Sequence, residues 1–146
     1  MYRIGKACHR GTKRKDRPNQ DSIGTVLPHW YLPIDPLLIV ADGMGGYNGG
    51  EIASRLVVQA MRARYYRECF ARDKQKMLQN GIQAAHARIR KYSGRQENLE
   101  SMGSTLAALL LTPKKGYLAN VGDSRIYRIR ANAIEQISYD HSMVAE

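Results

Sequence analysis

Apolar residues change their spacing twice along the chain. From residue 2 to residue 41 they come in short runs broken by turn formers, which predicts strands at 2–9, at 22–27 (Ser22-Ile23-Gly24-Thr25-Val26-Leu27) and at 37–41. A basic, polar segment at 10–21 separates the first two strands, and Pro28, Pro33 and Pro36 break the chain before the third. The third run, Leu37-Leu38-Ile39-Val40-Ala41, is apolar at consecutive positions, which predicts a strand covered on both faces. The spacing then becomes helical. Ile52, Leu56 and Ala60 share a face with Ala53, Val57 and Met61, and Leu78, Ile82, Ala85, Ile89 and Tyr92 form a second stripe. Each stripe is backed by a basic face, so each helix is expected to pack on a sheet. After a loop at 93–101 the short runs return at 104–111, 117–121, 124–130 and 133–138, with turns at Pro113-Lys114-Lys115-Gly116 and Ala131-Asn132. Strands, then two helices, then strands make an α+β chain, not the regular alternation of a doubly wound sheet.

With 146 residues and 43% hydrophobic content, the chain has room for one domain, 1–146, with a real core. No apolar run reaches the length of a membrane span. The start, Met1-Tyr2-Arg3-Ile4-Gly5-Lys6, lacks the apolar stretch of a signal peptide, so a cytoplasmic protein is expected. Cys8 and Cys69 are too few for a disulfide framework or a zinc site and read as free buried thiols. The net charge of +10 raises a nucleic-acid reading. The charge is spread, however, over Lys13-Arg14-Lys15 with Arg17, over Arg62, Arg64, Arg67 and Arg72, and over Arg88, Arg90, Lys91 and Arg95. No aromatic residues interleave with it and no helix-turn-helix or finger spacing is present. Solvated helix faces account for most of it, and nucleic acid is disfavoured as a partner.

The candidate chemistry lies in Ala41-Asp42-Gly43-Met44-Gly45-Gly46, where a carboxylate ends an apolar strand immediately before a glycine-rich turn. Asp21 and Asp123 have similar settings, in Asn19-Gln20-Asp21-Ser22 and Val121-Gly122-Asp123-Ser124. Three such carboxylates, brought together, would bind a hard divalent cation of the Mg²⁺ or Mn²⁺ type. Taken singly, each also reads as a turn former or helix cap. Gly43, Gly45 and Gly49 have the spacing of a relaxed dinucleotide loop, but the region about twenty residues on is basic and helical, without the acidic strand end that loop requires, and no Walker ending follows.

Five segments together resemble the bacterial metal-dependent protein phosphatases of type 2C. They are Pro18-Asn19-Gln20-Asp21-Ser22; Val40-Ala41-Asp42-Gly43-Met44-Gly45-Gly46 with Gly50-Glu51-Ile52-Ala53-Ser54; Met102-Gly103-Ser104-Thr105; Asn120-Val121-Gly122-Asp123-Ser124-Arg125-Ile126-Tyr127; and Gln136-Ile137-Ser138-Tyr139-Asp140-His141-Ser142. The resemblance implies a four-layer α-β-β-α sandwich with a two-metal cleft, and hydrolysis of phosphoserine and phosphothreonine with Mn²⁺ or Mg²⁺. It implies that Asp42 bridges two ions, that the Gly43 carbonyl ligates one, that Asp21 supports the shell and that Asp123 holds a further, weaker metal. Arg14, or else Arg17, would orient the phosphate. Met44 stands where some relatives carry a histidine acid, so solvent or another donor would supply the proton. The family's later Asp-Gly and Gly-x-x-Asp-Asn elements have no counterpart before Glu146, which implies a partial catalytic domain, incomplete at its C-terminal side. Two functions follow as expectations. One is a signalling phosphatase acting on a phosphoprotein of a Ser/Thr kinase. The alternative is a non-catalytic phosphatase-like interaction module. A chain with uncovered strands is also expected to self-associate or to take a complementing segment.

Overall fold

A computed structural model describes residues 3–12, 18–45, 49–96, 99 and 101–141. Among them the chain forms β1 (Asp21–Val26), β2 (Leu37–Met44), α1 (Gly49–Glu68), α2 (Lys74–Ser93), β3 (Gly103–Ser104), β4 (Leu106–Leu111), β5 (Gly116–Val121), β6 (Tyr127–Arg130) and β7 (Ala133–Gln136). The main sheet is antiparallel in the order β1-β2-β4-β5, with β3 paired to the end of β2, and β6 and β7 form a separate hairpin. The α+β order expected from the spacing is thus present.

Register explains which residues make the core. Ser22↔Ala41, Gly24↔Ile39 and Val26↔Leu37 place one set of β1 and β2 side chains toward the helices. Ile39↔Ala108 and Leu37↔Leu110 extend that face into β4, and Ala108↔Ala119 carries it to β5. Leu37, Ile39, Ala41, Ala108 and Leu110 are buried there beneath Val57, Val58, Met61 and Tyr65 of α1. Gly24 is required by this packing, since a Cβ at that position would lie 2.5 Å from Val58 Cγ1. The Ser22 and Ser54 hydroxyls, 2.9 Å apart, join β1 to α1 on the same face.

Four expectations are corrected. Of the strand expected at 2–9, residues 3–9 are described and form none; a strand is stabilised by a hydrogen-bonded neighbour, and among the described residues β1 pairs only with β2. β2 is buried on one face alone, alternating between buried Leu37, Ile39 and Ala41 and a face on which Val40 is 45% exposed. α2 packs mainly on α1 and much less on the sheet, where it meets β5. Its buried stripe contains Gly81, where a Cβ would come 2.7 Å from Met61 Sδ, so the missing side chain lets the two helices close on each other. Asp73 caps α2 by accepting from the Lys76 N–H at 2.9 Å. Of the two thiols, Cys69 is buried but Cys8 is exposed, accepting from Asn19 Nδ2. No helix among the described residues is long and apolar enough to cross a membrane.

Candidate metal centre

Asp21 opens β1, and Asp42 lies near the end of β2. The two are register partners across the antiparallel pair. Opposed residues of such a pair share a face with their Cβ atoms about 5 Å apart, and like charges so placed repel. The face is the one turned away from the helices, and both residues are exposed. Short local bonds hold them there. The Asp21 N–H donates to Asn19 Oδ1 at 3.0 Å, and the Gly43 N–H donates to the Gln20 carbonyl at 3.0 Å, tying the approach to β1 to the end of β2.

A cleft of about 270 Å³ opens over the pair. Pro18, Asn19 and Gln20 line it together with His9, Arg10 and Gly11. The His9–Gly11 segment makes a tight turn. Gly11 has φ +78° and its N–H donates to His9 Nδ1 at 3.1 Å. A guanidinium and an imidazole therefore share one cleft with two carboxylates.

Thr105, between β3 and β4, holds Asp42 by both backbone groups. Its N–H donates to the Asp42 carbonyl at 2.8 Å, and the Asp42 N–H donates to Thr105 Oγ1 at 2.9 Å. The same hydroxyl lies 2.6 Å from Ser124 Oγ.

Gly43 is buried against Gly50. A Cβ at residue 43 would fall 1.8 Å from the Gly50 carbonyl oxygen, so only glycine fits. It is not among the cleft-lining residues. Asp123 follows Gly122 (φ +87°) on the exposed turn after β5. Among the described residues no three His, Cys, Asp or Glu side chains form a group able to hold a metal, so Asp21 and Asp42 stand as a pair there. Arg14 and Arg17 lie outside the described residues.

Strong electrostatic shifts fall elsewhere. Arg125 forks onto Asp140, with Nη2 at 2.6 Å and Nε at 2.8 Å from Oδ2. Those hydrogen bonds hold the Asp140 carboxyl below its usual range and raise the Arg125 guanidinium. Burial, then the nearby Asp35 charge, pushes the Tyr65 hydroxyl up. The fork braces the β6–β7 hairpin, together with the His141 N–H, which donates to the Gly122 carbonyl at 3.0 Å.

The donor set fits a hard divalent cation. Two opposed carboxylates without thiolate company, in a polar cleft, gain most from an ion that takes oxygen ligands and keeps waters.

The sequence pattern that defines the protein phosphatase 2C family matches residues 9–144, a span that contains the cleft-lining residues and all three aspartates. The chain belongs to the protein phosphatase 2C family. A serine/threonine phosphatase, stp, of Listeria monocytogenes is 36% identical over 114 residues, which are 76% of this chain and 45% of that protein. The crystal structure of the Mycobacterium tuberculosis serine/threonine phosphatase PstP superposes with a TM-score of 0.80 at 32% identity, covering 94% of this chain and 54% of that one. The PstP catalytic domain in complex with two manganese ions matches equally well, with a TM-score of 0.80 over 94% of this chain and 55% of that one. The fold is therefore that of the 2C phosphatases, and the chain spans about half the length of the stp relative it matches. Its helices and main sheet correspond to an incomplete α-β-β-α sandwich.

The 2C motifs drew attention to Asp21, Asp42 and Asp123 but not to His9 or Arg10. The signal at the latter was a basic residue followed by glycine, His9-Arg10-Gly11, in a segment expected to be a strand end and a loop. Their approach to Asp42, thirty residues on, is a property of the fold.

Proposed function

We propose that the protein is a metal-dependent protein serine/threonine phosphatase and that this chain supplies the Asp21–Asp42 half of its metal site. The observation that carries the reading is the register pairing of those two carboxylates within one polar cleft of a 2C fold. Asp42, with the Gly43 carbonyl, would hold Mn²⁺ or Mg²⁺, Asp21 would support that shell, and Asp123 would serve a weaker, separate ion. Bound cations of this class neutralise phosphoryl charge and lower the pKa of a ligated water. The chain's own residues do the rest. The Asn19 and Gln20 bonds fix the backbone that carries the two aspartates, which lowers the reorganisation an ion would require. Arg10 lends positive charge to the cleft wall, and Arg14 or Arg17 orients the phosphate oxygens as a fork. The substrate is a phosphoprotein, the product of a Ser/Thr kinase, and the setting is cytoplasmic signalling. The domain is 1–146 as part of the 2C catalytic unit.

The test is hydrolysis of p-nitrophenyl phosphate and of a phosphothreonine peptide by the intact protein with Mn²⁺. Turnover that vanishes on Asp42→Ala is expected; turnover indifferent to that change overturns the assignment. A second reading, a non-catalytic phosphatase-like module, is favoured by one observation: the described carboxylates make a pair, not a three-ligand group. It predicts saturable phosphoprotein binding with no turnover at any Mn²⁺ concentration. A polypeptide of residues 1–146 is expected to self-associate through the uncovered sheet face or to accept a complementing segment there.

A further inference from the structure

Thr105 interrupts the sheet at the point where Asp42 needs support. Gly43↔Ser104 and Val40↔Ala107 are in one continuous register, so Thr105 stands opposite Asp42. A regular hydrogen-bonded pair would exchange two backbone bonds there. Only one is made, from the Thr105 N–H to the Asp42 carbonyl. The other is replaced: the Asp42 N–H donates to Thr105 Oγ1, while the Thr105 carbonyl accepts from Ser104 Oγ at 2.9 Å. The Thr105 hydroxyl is also shared with Ser124 Oγ at 2.6 Å, directly after Asp123. The methyl of Thr105 closes the arrangement, since a Cβ at Gly122 would lie 2.8 Å from Thr105 Cγ2. Thr105 is 4% exposed, so water cannot readily replace its hydroxyl.

We propose that Thr105 is a positioning residue that fixes the Asp42 backbone and, through Ser124, sets the Asp123 turn in a constant relation to it. The proposal rests on the metal reading above for its functional meaning. A buried side-chain bond in place of a ladder bond makes the anchoring of the Asp42 N–H depend on one hydroxyl. It also joins two aspartates that are 81 residues apart in sequence by a single relay, Asp42 N–H to Thr105 Oγ1 to Ser124 Oγ. Valine keeps the shape of threonine without the hydroxyl, and serine keeps the hydroxyl without the methyl.

The experiment compares Thr105→Val, Thr105→Ser and Ser124→Ala in the intact protein, with Mn²⁺ affinity read by calorimetry and Asp42 amide exchange read in the metal-free state. Supporting partners of metal ligands typically contribute 10–100-fold in affinity. Thr105→Val should weaken Mn²⁺ binding by about tenfold or more on that scale and speed Asp42 amide exchange, with Thr105→Ser close to wild type in both. Wild-type behaviour of Thr105→Val, or equal impairment of the valine and serine variants, overturns the proposal. Should the valine variant not fold, Ser124→Ala decides: several-fold weaker Mn²⁺ binding supports the relay, and unchanged binding overturns it. Because amide exchange is read without metal, a faster Asp42 amide in a protein whose Mn²⁺ binding ignores Asp42→Ala would sink the metal reading while leaving the positioning role standing.

Discussion

The two faces of the main sheet are built from similar residues and serve different ends. On the helix side, Leu37, Ile39, Ala41 and Leu110 are each at most 1% exposed beneath α1. On the other side the register partners Ile23↔Val40 and Leu38↔Leu109↔Leu118 are apolar too, yet Val40 and Leu118 stay 45% and 41% exposed. The same outer face carries Asp21 and Asp42 at its end. The inner face therefore holds the fold together, and the outer face carries the proposed metal site. The difference teaches that hydrophobicity alone does not say which face is covered. It also explains how a carboxylate pair is tolerated: both residues sit exposed at one end of the sheet, open to water.

The largest expected effect separates the faces by function. Asp42→Ala should reduce Mn²⁺-dependent turnover of the intact protein by more than about a hundredfold, beyond the range typical of outer-shell partners, as steady-state kinetics would reveal. Ile39→Ala, one position removed from the exposed face, should instead destabilise the protein by about 2–5 kcal/mol through the cavity it leaves, measurable by urea unfolding. Equal stability loss from Asp42→Ala would break the distinction. Next, Val40→Thr should change stability by no more than about 0.5 kcal/mol, because it is a half-exposed site. It should nevertheless lower self-association of a 1–146 polypeptide in light scattering; unchanged association would show that the outer face is not the sticky one.

The smallest effect lies outside the sheet. The Arg125 fork depresses the Asp140 pKa, so the stabilisation it gives is present above the ordinary aspartate value of about 3.9 and is lost as pH falls through the lower folded value. The fork is exposed, so the effect is small and local. Amide exchange in β6–β7 should rise on acidification in the wild type and be already raised, and insensitive to that drop, in Asp140→Asn.

Much of this division was legible in the sequence. The α+β order, β1 at 22–27 against the observed Asp21–Val26, both helices and both late hairpins follow from local spacing. The apolar run at 37–41 told of two apolar faces but not that one lacks cover here, because cover depends on what packs above. The strand expected at 2–9 failed for a related reason: propensity alone does not bring a segment into the ladder, and the described residues 3–9 reach β1 through the Lys6 side chain on Thr25 without pairing to it. At the candidate centre, the aspartates stood out by their small neighbours. His9, Arg10 and the replacement of a ladder bond by Thr105 Oγ1 did not, since each depends on contacts between segments far apart in sequence.

The central claim is that the Asp21–Asp42 face exists to hold a cation and contributes little to holding the fold. Thermal unfolding of the intact protein and its Asp42→Ala variant, with and without Mn²⁺, tests it directly. A ligand that binds only the folded state raises stability by RT ln(1 + [L]/Kd). The account predicts a wild-type melting temperature that climbs with Mn²⁺, and a metal-free Asp42→Ala protein that melts no lower than metal-free wild type and does not respond to the ion. A variant that melts several degrees lower without metal, or that still gains stability from Mn²⁺ as wild type does, would contradict it.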